Sequence, residues 1–261
     1  MVKRSLVLIL FCCAEVAIAQ APPSGGMEFI RGQQAMRKRD ITRAIRSFEK
    51  SLQENPDLLL AHYYLGYAYQ SSANWGDAGE NFEAFLQGAN REDPLSTELI
   101  YYATRQGGLA LARTDAFRRA IPYLEEVIAN KPDDKQAHFF LGLALLKNGD
   151  KAESLQQFHR VIELDSAYSD ALYYSGQVSS ELGDSGAARE RLESFVKLNP
   201  HSTHAAEAHF TLGTIAMTEA QTAADPSGPR ERAKTHLERY LALEPEGVAA
   251  EQAKELLSSM N

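Results

Sequence analysis

The chain has 261 residues, is 44% hydrophobic and carries a formal net charge of −8. That composition suffices for a packed core and is unlike that of a disordered chain. An acidic chain without basic runs is poorly matched to nucleic acid or to an anionic membrane surface, and both are set aside as partners.

In chain order, the first predicted element lies outside the fold. Lys3 and Arg4 precede an apolar run from Leu6 to Ala14, and Ala17-Ile18-Ala19 follows with small residues, the layout of a secretory signal peptide. Residues 1–19 are read as that signal and 20–24 as a short linker, so the expected location is periplasmic or secreted. Cys12 follows Phe11 instead of a small residue, which argues against a lipid anchor. Both cysteines, Cys12 and Cys13, leave with the signal, and with them any thiol nucleophile, disulfide or thiolate metal site. The signal's Lys3, Arg4 and Glu15 sum to +1, which leaves the remainder at −9. After residue 20 nothing approaches the roughly 18 continuous apolar residues of a membrane span.

The rest of the chain repeats. Gly32, Gly66, Gly108, Gly142, Gly176 and Gly213 recur at spacings of 34, 42, 34, 34 and 37. Twelve residues beyond the first five stand Ala44, Ala78, Ala120, Ser154 and Ala188, and four further on Phe48, Phe82, Leu124, Phe158 and Leu192. Prolines 56, 132, 200 and 245 fall near unit ends. An apolar stripe at i, i+3, i+4, i+7 (His62, Leu65, Gly66, Tyr69; His138, Leu141, Gly142, Leu145) predicts a first helix in each unit. A turn signal such as "KRD", "SAN" or "KNGD" and a second amphipathic stretch follow. The small glycine and alanine fit two helix backbones in close approach. No alternating run predicts a strand.

The units are placed near 25–58, 59–100, 101–134, 135–168, 169–205 and 206–246. In the third, eight extra residues including "REDPLSTE" predict a longer first helix, with Asp93 as N-cap and Pro94 at the first helical position. In the sixth, "TEAQTAADPSGP" predicts an extended first helix that breaks at 225–229 into a protruding loop or longer hairpin. Residues 247–261 predict a further amphipathic helix, the cap that covers a last apolar face.

A 34-residue period with L-G-x-x-Y, then A-x-x-x-F, then Pro resembles the tetratricopeptide repeat, as in "YLGYAY…DAGENF" and "FLGLALL…ESLQQF". The resemblance covers roughly Gly25 to Pro245. It implies an all-α solenoid, a right-handed superhelix of about six helix-turn-helix units whose first helices line a concave groove.

With each glycine numbered eighth in its unit, positions 4, 7, 8 and 11 form the core stripe. Positions 2, 5, 6, 9 and 13 point the opposite way at about 100° per residue, and in the family that second set faces the groove. Position 5 carries Phe29, Tyr63, Arg105, Phe139 and Tyr173, and position 6 doubles the ring with Tyr64, Phe140 and Tyr174. Tyr67 and Leu143 at position 9 extend the surface. Arg105, with Arg113 and Lys147 at position 13, adds positive charge suited to a partner segment with acidic and apolar residues. The bland alternatives are rings packed on the next unit and solvated cations at helix ends. The family's clamp for a C-terminal carboxylate has no matching set in three consecutive units.

No enzyme chemistry rises above this background. His62, His138 and His209 share position 4, a packing slot, and His201, His204 and His209 lack a carboxylate in register other than Glu207, so no metal is expected. Trp75, in a slot shared with Ile41 and Phe117, reads as core. No phosphate-binding loop, nucleophile elbow or paired carboxylate is present, and no cofactor is expected. The expected function is a non-catalytic scaffold or adaptor of the cell envelope that binds a protein, as a peptide or helix, in the groove. The rivals are a glycan or peptidoglycan binder using the same rings and a structural protein that self-associates through its ends or residues 219–229.

Overall fold

A computed structural model describes residues 24–260. The expected signal peptide and residues 20–23 of the linker lie outside the described residues. Among those, every regular element is helical: α1 (Gly26–Arg37), α2 (Ile41–Glu54), α3 (Leu59–Ser71), α4 (Trp75–Gly88), a 3₁₀ turn (Pro94–Ser96), α5 (Thr97–Ala112), α6 (Phe117–Asn130), α7 (Lys135–Asn148), α8 (Lys151–Leu164), α9 (Ser169–Glu181), α10 (Ser185–Leu198), α11 (Ala205–Thr222), α12 (Ser227–Leu243) and α13 (Ala250–Ser258). The helices pair in sequence as six hairpins, an all-α solenoid of tetratricopeptide-like units. The chain divides into two compact units, Met1–Tyr123 and Leu124–Asn261, with the division inside α6.

The turn inside a hairpin is built the same way five times. Arg39, Ala73, Asp115, Gly149 and Gly183 all occupy the left-handed region, each seven residues after its unit's glycine. The next residue's N–H donates to the carbonyl five residues back: Asp40 to Ala35, Asn74 to Tyr69, Ala116 to Leu111, Asp150 to Leu145 and Asp184 to Ser179, at 2.9–3.2 Å. This is the geometry of a Schellman stop, in which orphan carbonyls of the first helix are satisfied by the chain turning back. In three of the turns the following residue starts the second helix as well. The side chains of Asp40, Asn74 and Asp184 accept from the N–H groups of Arg43, Asp77 and Ala187.

In five of the six units the repeated glycine is the seat of one side chain from the second helix. A Cβ built on Gly32 would lie 2.5 Å from the Phe48 ring, and on Gly66 it would lie 3.1 Å from Phe82. The same test gives 2.7 Å to Phe158 for Gly142, 2.6 Å to Leu192 for Gly176 and 2.8 Å to Leu237 for Gly213. All five of those side chains are fully buried, as are Ala44, Ala78, Ala120, Ser154 and Ala188 at the other small position. Ser154 is tolerated because its hydroxyl donates to the Gly142 carbonyl at 2.8 Å.

The position-4 histidines pack against the second helix of their own hairpin. His62 Nδ1 lies 3.0 Å from Asn81 Oδ1, and His138 Nδ1 lies 2.7 Å from Gln157 Oε1. In the sixth hairpin the corresponding partner is itself a histidine: His209 Nδ1 meets His236 Nδ1 at 2.9 Å. One neutral ring donates to the lone pair of the other. Burial, then His236 and Arg239, push the His209 pKa down to about 4. Burial also lowers His236, with Arg232 acting the same way and Glu193 opposing it.

The irregular units depart from the sequence reading in detail. Pro94 opens a 3₁₀ turn, not the helix itself, and the 16-residue α5 starts at Thr97. Asp93 stands before that turn, its side chain accepting from the Ser96 hydroxyl at 3.0 Å and its carbonyl from the Ser96 N–H at 3.0 Å. In the sixth hairpin α11 runs for 18 residues, but 227–229 are the first turn of α12 and not a loop. Pro229 needs no intrahelical N–H partner there, and Asp225 accepts from the Ser227 N–H at 2.9 Å. The insertion is therefore a longer hairpin. Beyond it α13 buries Ala250 and Ala253 among Ala206, Leu237 and Tyr240, and the Tyr240 hydroxyl accepts from the Ala249 N–H.

Two predictions follow from this packing. Gly142→Ala is expected to destabilise the protein by about 1–3 kcal/mol through overpacking on Phe158, although alanine gains about 1 kcal/mol in an unhindered helix. Gly76→Ala, where an added Cβ meets nothing within 4 Å, is expected to be neutral or stabilising, and urea unfolding of both checks the contrast. For the histidine pair, the unfolded state takes up protons before the folded state does, so stability is greatest above pH 6.5 and declines between about 6.5 and 4. A His209→Gln/His236→Gln variant is expected to show a slope flatter by on the order of 1–2 kcal/mol across that window, after allowing for solvent screening. Unfolding midpoints at pH 7.5 and 5.0 measure it.

Candidate interaction surface

The rings of the first helices form two networks, one in each compact unit. In the first, Phe48 of α2 stacks on Tyr64 of α3 (5.8 Å between centroids, 23° between planes), and Phe29 of α1 meets Tyr64 edge-on at 5.5 Å. Tyr63 then meets Tyr64 at 87°, Phe85 at 5.3 Å and Tyr102 of α5 at 5.8 Å. In the second, Phe158 of α8 stacks on Tyr174 of α9 at 5.7 Å and 18°. Phe139 meets Phe140 at 76°, Tyr173 meets Tyr174 at 69°, and His204 lies flat on Tyr173 at 4.3 Å. Phe48 and Phe158, the rings that seat on Gly32 and Gly142, thus also stack on the next unit's sixth position. Such contacts add roughly 0.5–1.5 kcal/mol each beyond burial.

This arrangement corrects the expected groove assignment at position 5. Tyr63, Phe139 and Tyr173 are only 3%, 6% and 4% exposed, so they lie inside the stack and support the surface from behind. The physical reason is that a first helix is flanked both by its own second helix and by the next unit's first helix. An opposed-face projection recognises one of those neighbours and leaves out the other. Phe29 is half-buried against Phe48 and Tyr64. The residues that retain surface are Tyr64 and Tyr67 in the first compact unit and Phe140, Leu143 and Tyr174 in the second, all half-buried and each packed against the core of its own unit. Tyr102, at position 2 of the third unit, joins Tyr67 at 6.3 Å. Its slot belonged to the outward set, so the repeat register was the signal that could have named it.

Of the expected cations, Arg105 lies beside these rings. It is half-buried and close enough to Tyr102 to oppose the upward push of burial on its hydroxyl pKa. Arg113 is exposed but committed elsewhere: its guanidinium sits 4.7 Å over the Trp75 ring and donates to the Leu109 carbonyl at 3.0 Å. Trp75, expected as core, is correspondingly half-buried at the start of α4. Lys147 is exposed in the last turn of α7.

Burial holds the hydroxyls of Tyr63, Tyr102 and Tyr173 well above the ordinary tyrosine range, and the carboxylate of Glu207 reinforces this at Tyr173. All three are neutral near pH 7, and Tyr173 donates to Glu207, which also accepts from Gln177 at 3.1 Å. Among the described residues no group of three or more His, Cys, Asp or Glu is placed to hold a metal ion. No helix among them is long and apolar enough to cross a membrane. What the surface offers is a set of braced aromatic edges with neutral polar tips.

Comparison with known proteins agrees with the repeat geometry. A tetratricopeptide repeat profile matches residues 31–96 and 104–169, and a second tetratricopeptide repeat profile matches residues 170–202. No curated protein sequence matches the chain. Among solved structures the fold is similar to that of YrrB, described as a TPR protein with an unusual peptide-binding site (23% identity, 68% of this chain and 87% of that one, TM-score 0.57). It is also similar to PilF of Pseudomonas aeruginosa (15% identity, 88% and 96% covered, TM-score 0.59). PilW, described as a widely conserved type IV pilus biogenesis factor, matches at 17% identity over 88% and 98% of the two chains, with a TM-score of 0.56. With profiles covering more than half of its length, the chain belongs to the tetratricopeptide repeat family.

Proposed function

We propose that this protein is a non-catalytic adaptor whose half-buried first-helix rings hold the apolar side of a peptide or helix from a partner protein. The observation that carries the reading is the division of labour within each ring pair. The buried member (Tyr63, Phe139, Tyr173) meets its neighbour edge-on and fixes it, so Tyr64, Phe140 and Tyr174 reach the surface with little freedom left to lose. Rigid amphipathic rings supply large contact area at low entropic cost, which is why such residues dominate binding surfaces.

Membership of the family supports a protein partner, and the description of YrrB as a peptide-binding TPR protein is in keeping with it. The signal-like residues 1–19 support a place in the cell envelope, as does the likeness in fold to a protein described as a pilus biogenesis factor. The neutral, high-pKa tyrosines offer no general base near pH 7, in keeping with a binding role.

Because the sixth-position rings also join neighbouring units, the test uses position 9. Tyr67→Glu and Leu143→Glu place a charge on the surface while leaving the stacked rings in place. In-cell crosslinking and affinity purification are expected to recover a partner with the unaltered chain and to lose it by about tenfold or more with the double variant. Equal recovery from both, with the fold intact by circular dichroism, contradicts the reading. Saturable binding of purified cell-wall fragments with no protein partner recovered would assign the rings to sugar stacking.

A further inference from the structure

The overall acidity of the chain conceals one strongly basic segment. Between residues 31 and 46 stand Arg31, Arg37, Lys38, Arg39, Arg43 and Arg46 against the single acid Asp40. All six cations are exposed around the turn between α1 and α2. Three of them, Arg31, Lys38 and Arg43, line a cleft of about 260 Å³ together with Gln34, Ala35 and Asp40.

The charge in this cleft is poorly neutralised from within. Arg31 is held by Glu28 at 2.7 Å, but that carboxylate is shared with Lys50 at 2.6 Å. Asp40 is spent on the α2 N-terminus, where its side chain accepts from the Arg43 N–H at 3.1 Å. Among the described residues no carboxylate pairs with the side chains of Lys38, Arg39, Arg43 or Arg46. Elsewhere several cations are paired across helices, as in Lys135–Asp165, Lys151–Glu181 and Arg232–Glu219. Here four exposed cations without such a pair fall within nine residues, 38–46.

We propose that this cleft is a docking site for an acidic segment of a partner protein, with a carboxylate seated between Arg31, Lys38 and Arg43 and the Gln34 amide beside it. Guanidinium groups match carboxylates bidentately, and a patch of this kind steers an oppositely charged partner before short-range contacts form. Two observations favour a peptide over an anionic bilayer. The site is concave, on the scale of one or two side chains. The excess of positive charge also ends with this hairpin: residues 59–96 hold Asp77, Glu80, Glu83, Glu92 and Asp93 against Arg91 alone, so the basic patch is small beside the area a bilayer would cover. The site is separate from the ring surface and does not depend on it.

The test is fluorescence anisotropy of the full chain with a labelled peptide of alternating Glu and Gly, and with its Gln-Gly counterpart, at physiological salt. The Glu peptide is expected to bind saturably and the Gln peptide not. Lys38→Glu/Arg43→Glu, at two exposed positions without ion-pair partners, is expected to weaken binding about tenfold or more. The charge-matched Arg230→Glu/Lys234→Glu on α12 is expected to leave it unchanged. Absence of saturable binding, or equal losses in the two double variants, would overturn the proposal. So would cosedimentation with phosphatidylglycerol-containing vesicles that requires Lys38 and Arg43 while the Glu peptide fails to bind.

Discussion

The structure depends on how closely the two helices of a hairpin approach at one glycine. At Gly32, Gly66, Gly142, Gly176 and Gly213 the first helix has no side chain where a phenylalanine or leucine from the second must sit. That contact lets the ring pass across the first helix and reach the next hairpin. Phe48 does so onto Tyr64, and Phe158 onto Tyr174. At Gly32 and Gly142, therefore, one small residue sets both the packing inside a hairpin and the stacking on the next. A hairpin of two amphipathic helices has too little core to be stable alone, and neighbour-to-neighbour contacts supply what it lacks.

The same stacking explains why candidate binding residues and core residues are adjacent in sequence. "YY", "FF" and "YY" at 63–64, 139–140 and 173–174 are each one ring committed to the interior and one that reaches the edge. Polar groups are treated likewise. Tyr69 donates to Glu49 and Gln70 donates to Gln106, so hydrogen bonds as well as rings connect consecutive units within the first compact body. In the second body Asn199 donates to Ser169, and Tyr173 with Gln177 engages Glu207. The surface left over is small, rigid and aromatic.

Much of this was legible in the sequence because it is periodic. The glycine spacing located every hairpin, the histidines at position 4 were readable as packing groups, and the eight-residue insertions announced the long α5 and α11. What was not legible needed the third dimension. A helical projection has no way to show that a first helix meets two neighbours, so Tyr63, Phe139 and Tyr173 were assigned outward. Arg113 looked like a surface cation because its partner, Trp75, is 38 residues away. "DPSGP" reads as a loop, yet its last three residues form a helical first turn, where proline is tolerated. The basic turn at 37–39 was hidden by the net charge, since a sum over the whole chain averages away a local excess.

The central claim is that the sixth-position rings Tyr64 and Tyr174 are held by the glycine-seated rings Phe48 and Phe158 of the units before them. A double-mutant cycle on Phe158 and Tyr174 tests this most directly, with each changed to Leu singly and together and stability measured by urea unfolding. Leucine already fills the Phe158 slot at positions 124 and 192, so the single changes are conservative. The account predicts a coupling of roughly 0.5–1.5 kcal/mol between the two sites. Additive effects, with coupling near zero, would contradict it.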